Sequence, residues 1–523
     1  MSLRLTSSAV ALMAFAMPAL ADVTPDEVWQ TWLDYYQASG YTVTEGSRDL
    51  AGETLTLKDV KLALDAEGAA TAVAIPQITL QATGDGKVRT VYEGDMIVTS
   101  SSEGNEDIDG FAMQATIKMP GNETVSSGSK EDMTHVMTLP SMTATLDNIE
   151  AEGEDMPAMT ASVVATNTTA TMHSVTGSDA KYDTTMSLEK AEFMVNADGE
   201  TEGKMAFSGV LNDIEANGEV IGFAHMAEAQ TNLAAALNKG LAMNGALKAG
   251  QWDIAFDFDV PASAEDGTPA QASKGNASLA GIDLTFAMSK DGLGYQVNSD
   301  KTNMELTTSE LPMPISYSMD GSSFDVQFPV SQSDTPAPFK LSYSIDGLAF
   351  GDAIWDLFDP SKQLPRDPAS LDLDVTGTLK VLKDLLDPAV MDASAEMDDE
   401  AIADGEDMAE YTPEPTPIEP VEVTINQFAV SAVGAKLSAS GTLKPSEDGS
   451  MDTPVGTINA RYEGVNGLLD KLGAMGLVPQ DQLGGIRMMM AMFARPGDGE
   501  DVLTTDLEFK DDGSVFANGQ QVK

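Results

Sequence analysis

The sequence predicts a mainly β protein, built as extended antiparallel meander sheets that are either curved or closed as a sandwich. Three observations predict it. Apolar and polar residues alternate over long stretches, as in "TLTLKDVKLALDAEG" and "WDIAFDFDV", and a strand sends successive side chains to opposite faces. The alternating stretches are punctuated by Asp-Gly and Glu-Gly pairs, residues that tolerate positive φ and mark tight turns. The composition suits an economical core of Ala, Val, Leu and Met with 6% aromatic residues. One motif is written twice: "ISYSMDG" at Ile315–Gly321 and "LSYSIDG" at Leu341–Gly347. Each is a one-sided strand, and Asp320-Gly321 and Asp346-Gly347 read as hairpin turns. "LDNIEAEG" (Leu146–Gly153) and "LNDIEANG" (Leu211–Gly218) form a second near-repeat.

At the start, Arg4, an apolar run from Ala9 to Met17 and Ala19-Leu20-Ala21 have the form of a secretory leader cleaved between Ala21 and Asp22. The expectation is a soluble periplasmic protein with no transmembrane segment in the mature chain. Thr24-Pro25-Asp26-Glu27 is a capping box with Pro at the first helical position. Trp29, Trp32, Leu33 and Tyr36 then share one face, and Gly40 ends this helix. Strands follow from Tyr41. They are interrupted by a helix near Asn232–Asn244, where Leu233, Leu237 and Leu241 share a face, and by short helices in "GDAIWDLFDP" and "VLKDLLDP". Gly464–Ala494 reads as a helical pair whose second member starts at Pro479. Its Met488–Met490 run admits a metal or groove reading, but Leu483, Ile486, Met490 and Phe493 lie at helical spacing, so core packing is the reading. A terminal hairpin turns at Asp512-Gly513.

Residues 391–420 hold eleven acids, four prolines and no basic residue, the composition of a disordered insertion. The organisation is therefore a leader over 1–21, a β-rich domain over 22–390 with a sub-boundary near 250, the insertion, and a β-rich continuation over 421–523.

The formal net charge of −54 repels nucleic acid and anionic headgroups. With no cysteine, neither disulfides nor a thiol nucleophile is available. No Gly-x-Ser-x-Gly, His-Glu-x-x-His or phosphate-loop motif occurs. Ser127-x-x-Lys130 and Ser187-x-x-Lys190 lack their companion motifs, and His135, His173 and His225 are dispersed. "NEDIDG" places Asn105, Asp107 and Asp109 like the opening of a calcium loop, but its twelfth position is Thr116 where a bidentate Glu is needed. It reads as an acidic turn, with calcium as the alternative; no other cofactor is expected.

The leader, "DVTPDEVWQTW", "LPRDPASLDLDVTGTL" and "DLEFKDDGSVFANGQ" resemble a bacterial periplasmic family known as domain of unknown function 2125. More distantly, the carboxyl-terminal strand-and-helix pattern is similar to envelope β-proteins of the AsmA and YdgA type, some implicated in lipid or outer-membrane homeostasis. The family implies no site residues. Two function classes remain. One is a non-catalytic envelope protein, binding an apolar ligand, a lipid or an envelope partner along a sheet face. The other is an exported glycan-active hydrolase using dispersed carboxylates.

Overall fold

The computed structural model describes residues 23–66, 68–104, 110–151, 158–177, 180–199, 203–262, 269–311, 313–391, 417–447, 449 and 451–523. The proposed leader and the candidate ion loop at Asn105, Asp107 and Asp109 lie outside them. All described strands belong to one antiparallel sheet, so the expected meander is present. Its form is a single sheet bent along a seam.

The seam is visible first in the strand Thr54–Ala66. Leu57 and Val60 are three residues apart, and a straight strand would send them to opposite faces. Both are fully buried in one apolar cluster, together with Ile75 and Ile78 of the neighbouring strand Ala69–Ala82. Asp59 between them has φ 52°, a left-handed conformation that Asp and Asn accept most readily among residues with a side chain. One such residue reverses the alternation and bends the strand, so the apolar sides of both halves turn inward. Asn167 and Asp213, both at φ 52°, and Gly347, at φ 64°, continue the seam. Elsewhere the crossing strand is interrupted there, as at Gly250-Gln251, which meets Asn212 through backbone hydrogen bonds.

This corrects the reading of the twin motif. Asp320 and Asp346 do not turn hairpins; they meet across the seam, Asp320 N–H donating to the Asp346 carbonyl at 2.8 Å. The same residue chemistry that permits a reversal here permits a bend. The second near-repeat divides likewise: Asp213 is a seam residue, whereas Asp147 sits at a pairing irregularity away from the seam. The Asp512-Gly513 hairpin forms, with Phe509 opposite Val515.

The bend makes two walls. On the long wall, directly paired residues run Leu55, Leu80, Thr90, Thr124, Met137, Ala170, Met186, Ala216, Leu247, Leu284, Val297, Phe324, Tyr343, Leu373, Phe428, Ala439, Ala460 and Thr505. At ~4.8 Å per strand this row spans about 80 Å. The short wall carries Met96, Ile117, Ala144, Val163, Phe193, Gly209, Ile254, Ala277, Met304, Tyr317 and Phe350 in one row. The strand Gly203–Ile221 pairs on both sides of the break at Gly250-Gln251: Lys204–Leu211 with Trp252–Asp259, and Glu215–Ile221 with Ala242–Lys248.

Helices close the ends and rims. Helix α1, Pro25–Ala38, begins with the expected capping box: Thr24 Oγ1 accepts from Glu27 N–H, and Glu27 accepts from Thr24 N–H. Its Val28 and Trp29 fill the cluster between the walls. Helices α2, Met226–Ala229, and α3, Leu233–Asn238, cover part of the rim. The expected helix to Asn244 stops early because Gly240 takes φ 105°; Ala242–Ala249 is a strand. Helix α4, Asp352–Phe358, follows the last short-wall strand. "VLKDLLDP" is not a helix: Val381 ends a strand and Leu382–Asp387 turn, so its Pro begins the next helical segment instead of ending one. Helices α5, Val465–Ala474, and α6, Gln480–Phe493, follow late in the ladder. The proposed insertion is shorter than expected, because Ile418–Pro420 open the strand Ile418–Ala432. Pro420 is tolerated opposite Leu379 at a register shift, where a ladder hydrogen bond is already missing. Its residues 392–416 lie outside the described set. No described helix is long and apolar enough to cross a membrane.

Candidate ligand groove

The space between the walls is closed at one end and open beyond it. Where α1 docks, inward side chains such as Leu55, Val60, Ile75 and Met96 are 0–9% exposed. Further along the same inner faces, Val163, Phe286, Tyr295, Leu341, Tyr343 and Phe350 are 36–42% exposed. These are not scattered surface residues. Phe286, Tyr295, Val326, Leu341, Val375 and Ile425 are consecutive members of one cross-strand row, and Phe324 and Tyr343 stand beside it in the row already described.

The groove floor is kept low by four aromatic–glycine pairs. Phe193 faces Gly209, Phe286 faces Gly245, Phe256 faces Gly275, and Phe339 faces Gly377. A Cβ on any of these glycines would stand 2.5–2.6 Å from a ring carbon, far inside van der Waals contact. Glycine therefore lets each ring lie flat against the neighbouring strand instead of standing into the groove. The signal was present in the sequence as single glycines at the apolar phase of strands, in "FSGVL", "MNGAL", "SKGNA" and "VTGTL". Pairing each with its ring required the register.

At the closed end Trp32 of α1 packs on His135, ring centroids 4.6 Å apart, and Tyr35 stacks on Phe223 at 5.7 Å. His135 Nδ1 and the Ser126 hydroxyl lie 2.7 Å apart, a serine–histidine pair that motif spacing had not suggested. It does not make a nucleophile: both residues are buried, His135 Nε2 has no hydrogen-bond partner, and no carboxylate orients the ring. Burial lowers the His135 pKa to about 4, so the ring is neutral at pH 7. Desolvation also raises the Tyr36 and Tyr92 phenols, which share a hydrogen bond.

The other sequence candidates separate. His173 lies on the polar face, 2.8 Å from Asp132 and 3.4 Å from Asp183, and those carboxylates raise its pKa. Lys190 pairs with Glu192 at 2.7 Å, and Ser187 faces Thr169. No group of three or more metal-ligating side chains occurs among the described residues. A second ordered polar cluster adjoins α4. Arg366 stacks on Trp355, bonds Asp356 and Asp352, and donates to the Asp359 carbonyl. The Asp359 carboxylate accepts from Gln363 and Leu364 N–H, each at 2.8 Å. Burial opposes its charge, but these donors and Arg366 outweigh that and hold its pKa low. Both terminal nitrogens of Arg366 are bonded while its buried Nε has no partner, and the cluster fastens the loop where the short wall ends. The outer face carries shallow depressions, one of about 600 Å³ lined by Ser162, Val164, Glu192, Met194, Ser208 and Asp253.

A family described as "uncharacterized protein conserved in bacteria", DUF2125, matches residues 246–522. The chain belongs to the DUF2125 family. The match begins within the strand Ala242–Ala249 and covers Phe286, Tyr295, Leu341 and Tyr343 of the groove and helices α4 to α6; the quoted opening "DVTPDEVWQTW" lies outside it. No curated protein and no solved structure matches the chain.

Proposed function

We propose that this DUF2125 protein is an exported, non-catalytic envelope protein that holds an apolar, acyl-chain ligand between its two walls. One observation carries the reading: the inner rows are sealed where α1 plugs them, whereas beyond it Phe286, Tyr295, Leu341, Tyr343 and Phe350 are still over one-third exposed. Contiguous exposed apolar surface on a soluble protein normally marks an interaction site. The polar outer face and the net charge of −54 suit a particle that stays dispersed while its interior binds a water-insoluble chain. Each methylene removed from water contributes ~0.8 kcal/mol, so a long acyl chain along the rows would be held without any specific polar contact. Export rests on the Arg4 to Ala21 leader.

Native mass spectrometry of protein purified from its own cells tests both parts. The expected spectrum shows a mature chain beginning at Asp22 and additional masses that extraction identifies as acyl lipids. A clean ligand-free mass, from protein that also fails to take up added fatty acid, would overturn the ligand assignment. Retention of Met1–Ala21 would overturn the processing assignment.

A further inference from the structure

The carboxyl-terminal helical pair exposes an apolar face that no described part of the protein covers. Leu483 is buried and Ile486, Met490 and Phe493 are half-buried, so this stripe of α6 faces the fold. The opposite side presents Met488, Met489 and Met492, with Leu477 in the α5–α6 connection, 47–74% exposed. The same helix shows bare backbone at Gly484 and Gly485, where an added Cβ would meet nothing within 4 Å.

The tip lacks the acidic excess of the chain as a whole. Residues 464–495 carry three basic and two acidic side chains, a net of +1 in a chain of −54. Arg487 is paired with Asp470, and Arg495 with Asp506. A second copy of this chain is a poor occupant, since two strongly acidic bodies repel. Residues 392–416 are poor occupants too, being acid-rich without apolar periodicity. A lipid surface fits: unbranched methionines adapt to a disordered apolar phase, and this near-neutral tip joins exposed apolar side chains to a charge that a bilayer would not repel. The pair is inserted between Val455–Glu463 and Val502–Phe509, whose Tyr462 and Leu503 end an inner row running from Ile345 through Leu371, Val430 and Leu437.

We propose that α5 and α6 dock this end of the protein on a lipid bilayer through Met488, Met489, Met492 and Leu477. The proposal extends the groove reading by placing its open end at a membrane, but docking does not require a loaded groove. Repulsion between the acidic body and anionic headgroups gives an unusual signature. Binding to anionic vesicles should strengthen as salt screens the body, whereas binding to zwitterionic vesicles should be insensitive to salt.

Co-flotation of the purified protein with phosphatidylcholine vesicles, and with vesicles containing phosphatidylglycerol, tests this. The triple variant M488S/M489S/M492S should lose about tenfold or more in partitioning, with its melting curve unchanged because the three side chains are exposed. Leu50→Ser, an exposed apolar site at the α1 end, should float like the wild type. Failure of the wild type to float, or flotation of the triple variant like the wild type, would overturn the proposal. So would a wild-type dimer that the triple variant abolishes while vesicle binding persists. Lipid content by native mass spectrometry is read separately, so an empty groove with intact flotation would refute the ligand assignment alone.

Discussion

Two leucines on the inner faces should respond differently to the same truncation. Leu80 is fully buried in the α1 cluster, while Leu341 is 37% exposed in the open part of the groove. Leu→Ala removes three carbons, worth roughly 2.4 kcal/mol at ~0.8 kcal/mol each when wholly buried. At Leu80 the enclosed cavity adds to this, and the expected loss is about 3–4 kcal/mol. At Leu341 only about two-thirds of the transfer contribution applies. The vacated space joins an open groove, so the cavity contribution is absent and the loss should be about 1.5 kcal/mol. Urea unfolding of delipidated protein, followed by far-ultraviolet circular dichroism, measures the difference as a shift in midpoint at constant slope. Equal losses of 3 kcal/mol or more would show that the walls close on each other at Leu341 and that no open groove exists there.

Gly245→Ala places a methyl 2.6 Å from the Phe286 ring; the ring should swing into the groove, costing about 1 kcal/mol of stability and reducing fatty-acid uptake. Val433, a β-branched residue at φ 49°, precedes Gly434 at φ 80° in the two-residue turn between Ala432 and Ala435; Val433→Asn should raise stability by about 1 kcal/mol in a thermal melt, since Asn-Gly suits that turn. His135 is held at about 4, below its ordinary 6.5, so the unfolded chain binds the proton more readily. Its contribution is complete above pH 6.5 and lost as the pH falls toward 4, a drop of about 3 kcal/mol. His135→Phe should flatten the stability–pH curve over that window, and an unchanged slope would assign the pH dependence elsewhere.

Local grammar was legible where one segment determines its own structure. Thr24 and Glu27 announced α1 to within a residue of its observed start, and the Leu483–Phe493 stripe announced which side of α6 faces inward. Alternation announced the strands because one side of each wall is apolar. The seam was not legible. Asp-Gly and Asn residues supply positive φ equally to a reversal and to a bend, and what decides at Asp320 and Asp346 is that each meets the other across the sheet. The aromatic–glycine pairs were hidden for the same reason: Phe286 and Gly245 are 41 positions apart, and only pairing register brings them together. Whether the inner faces were covered depended on where α1 docks, a long-range fact that its own amphipathic stripe does not contain.

The inner faces are the proposed ligand surface. The most direct test is photo-crosslinking of the delipidated protein with a diazirine-bearing fatty acid, followed by peptide mapping of the adducts. Adducts are expected on Phe286, Tyr295, Leu341 and Tyr343, suppressed by excess unlabelled fatty acid. Adducts confined to the polar face around Ser162, Ser208 and Asn276, or labelling that excess fatty acid does not suppress, would contradict it.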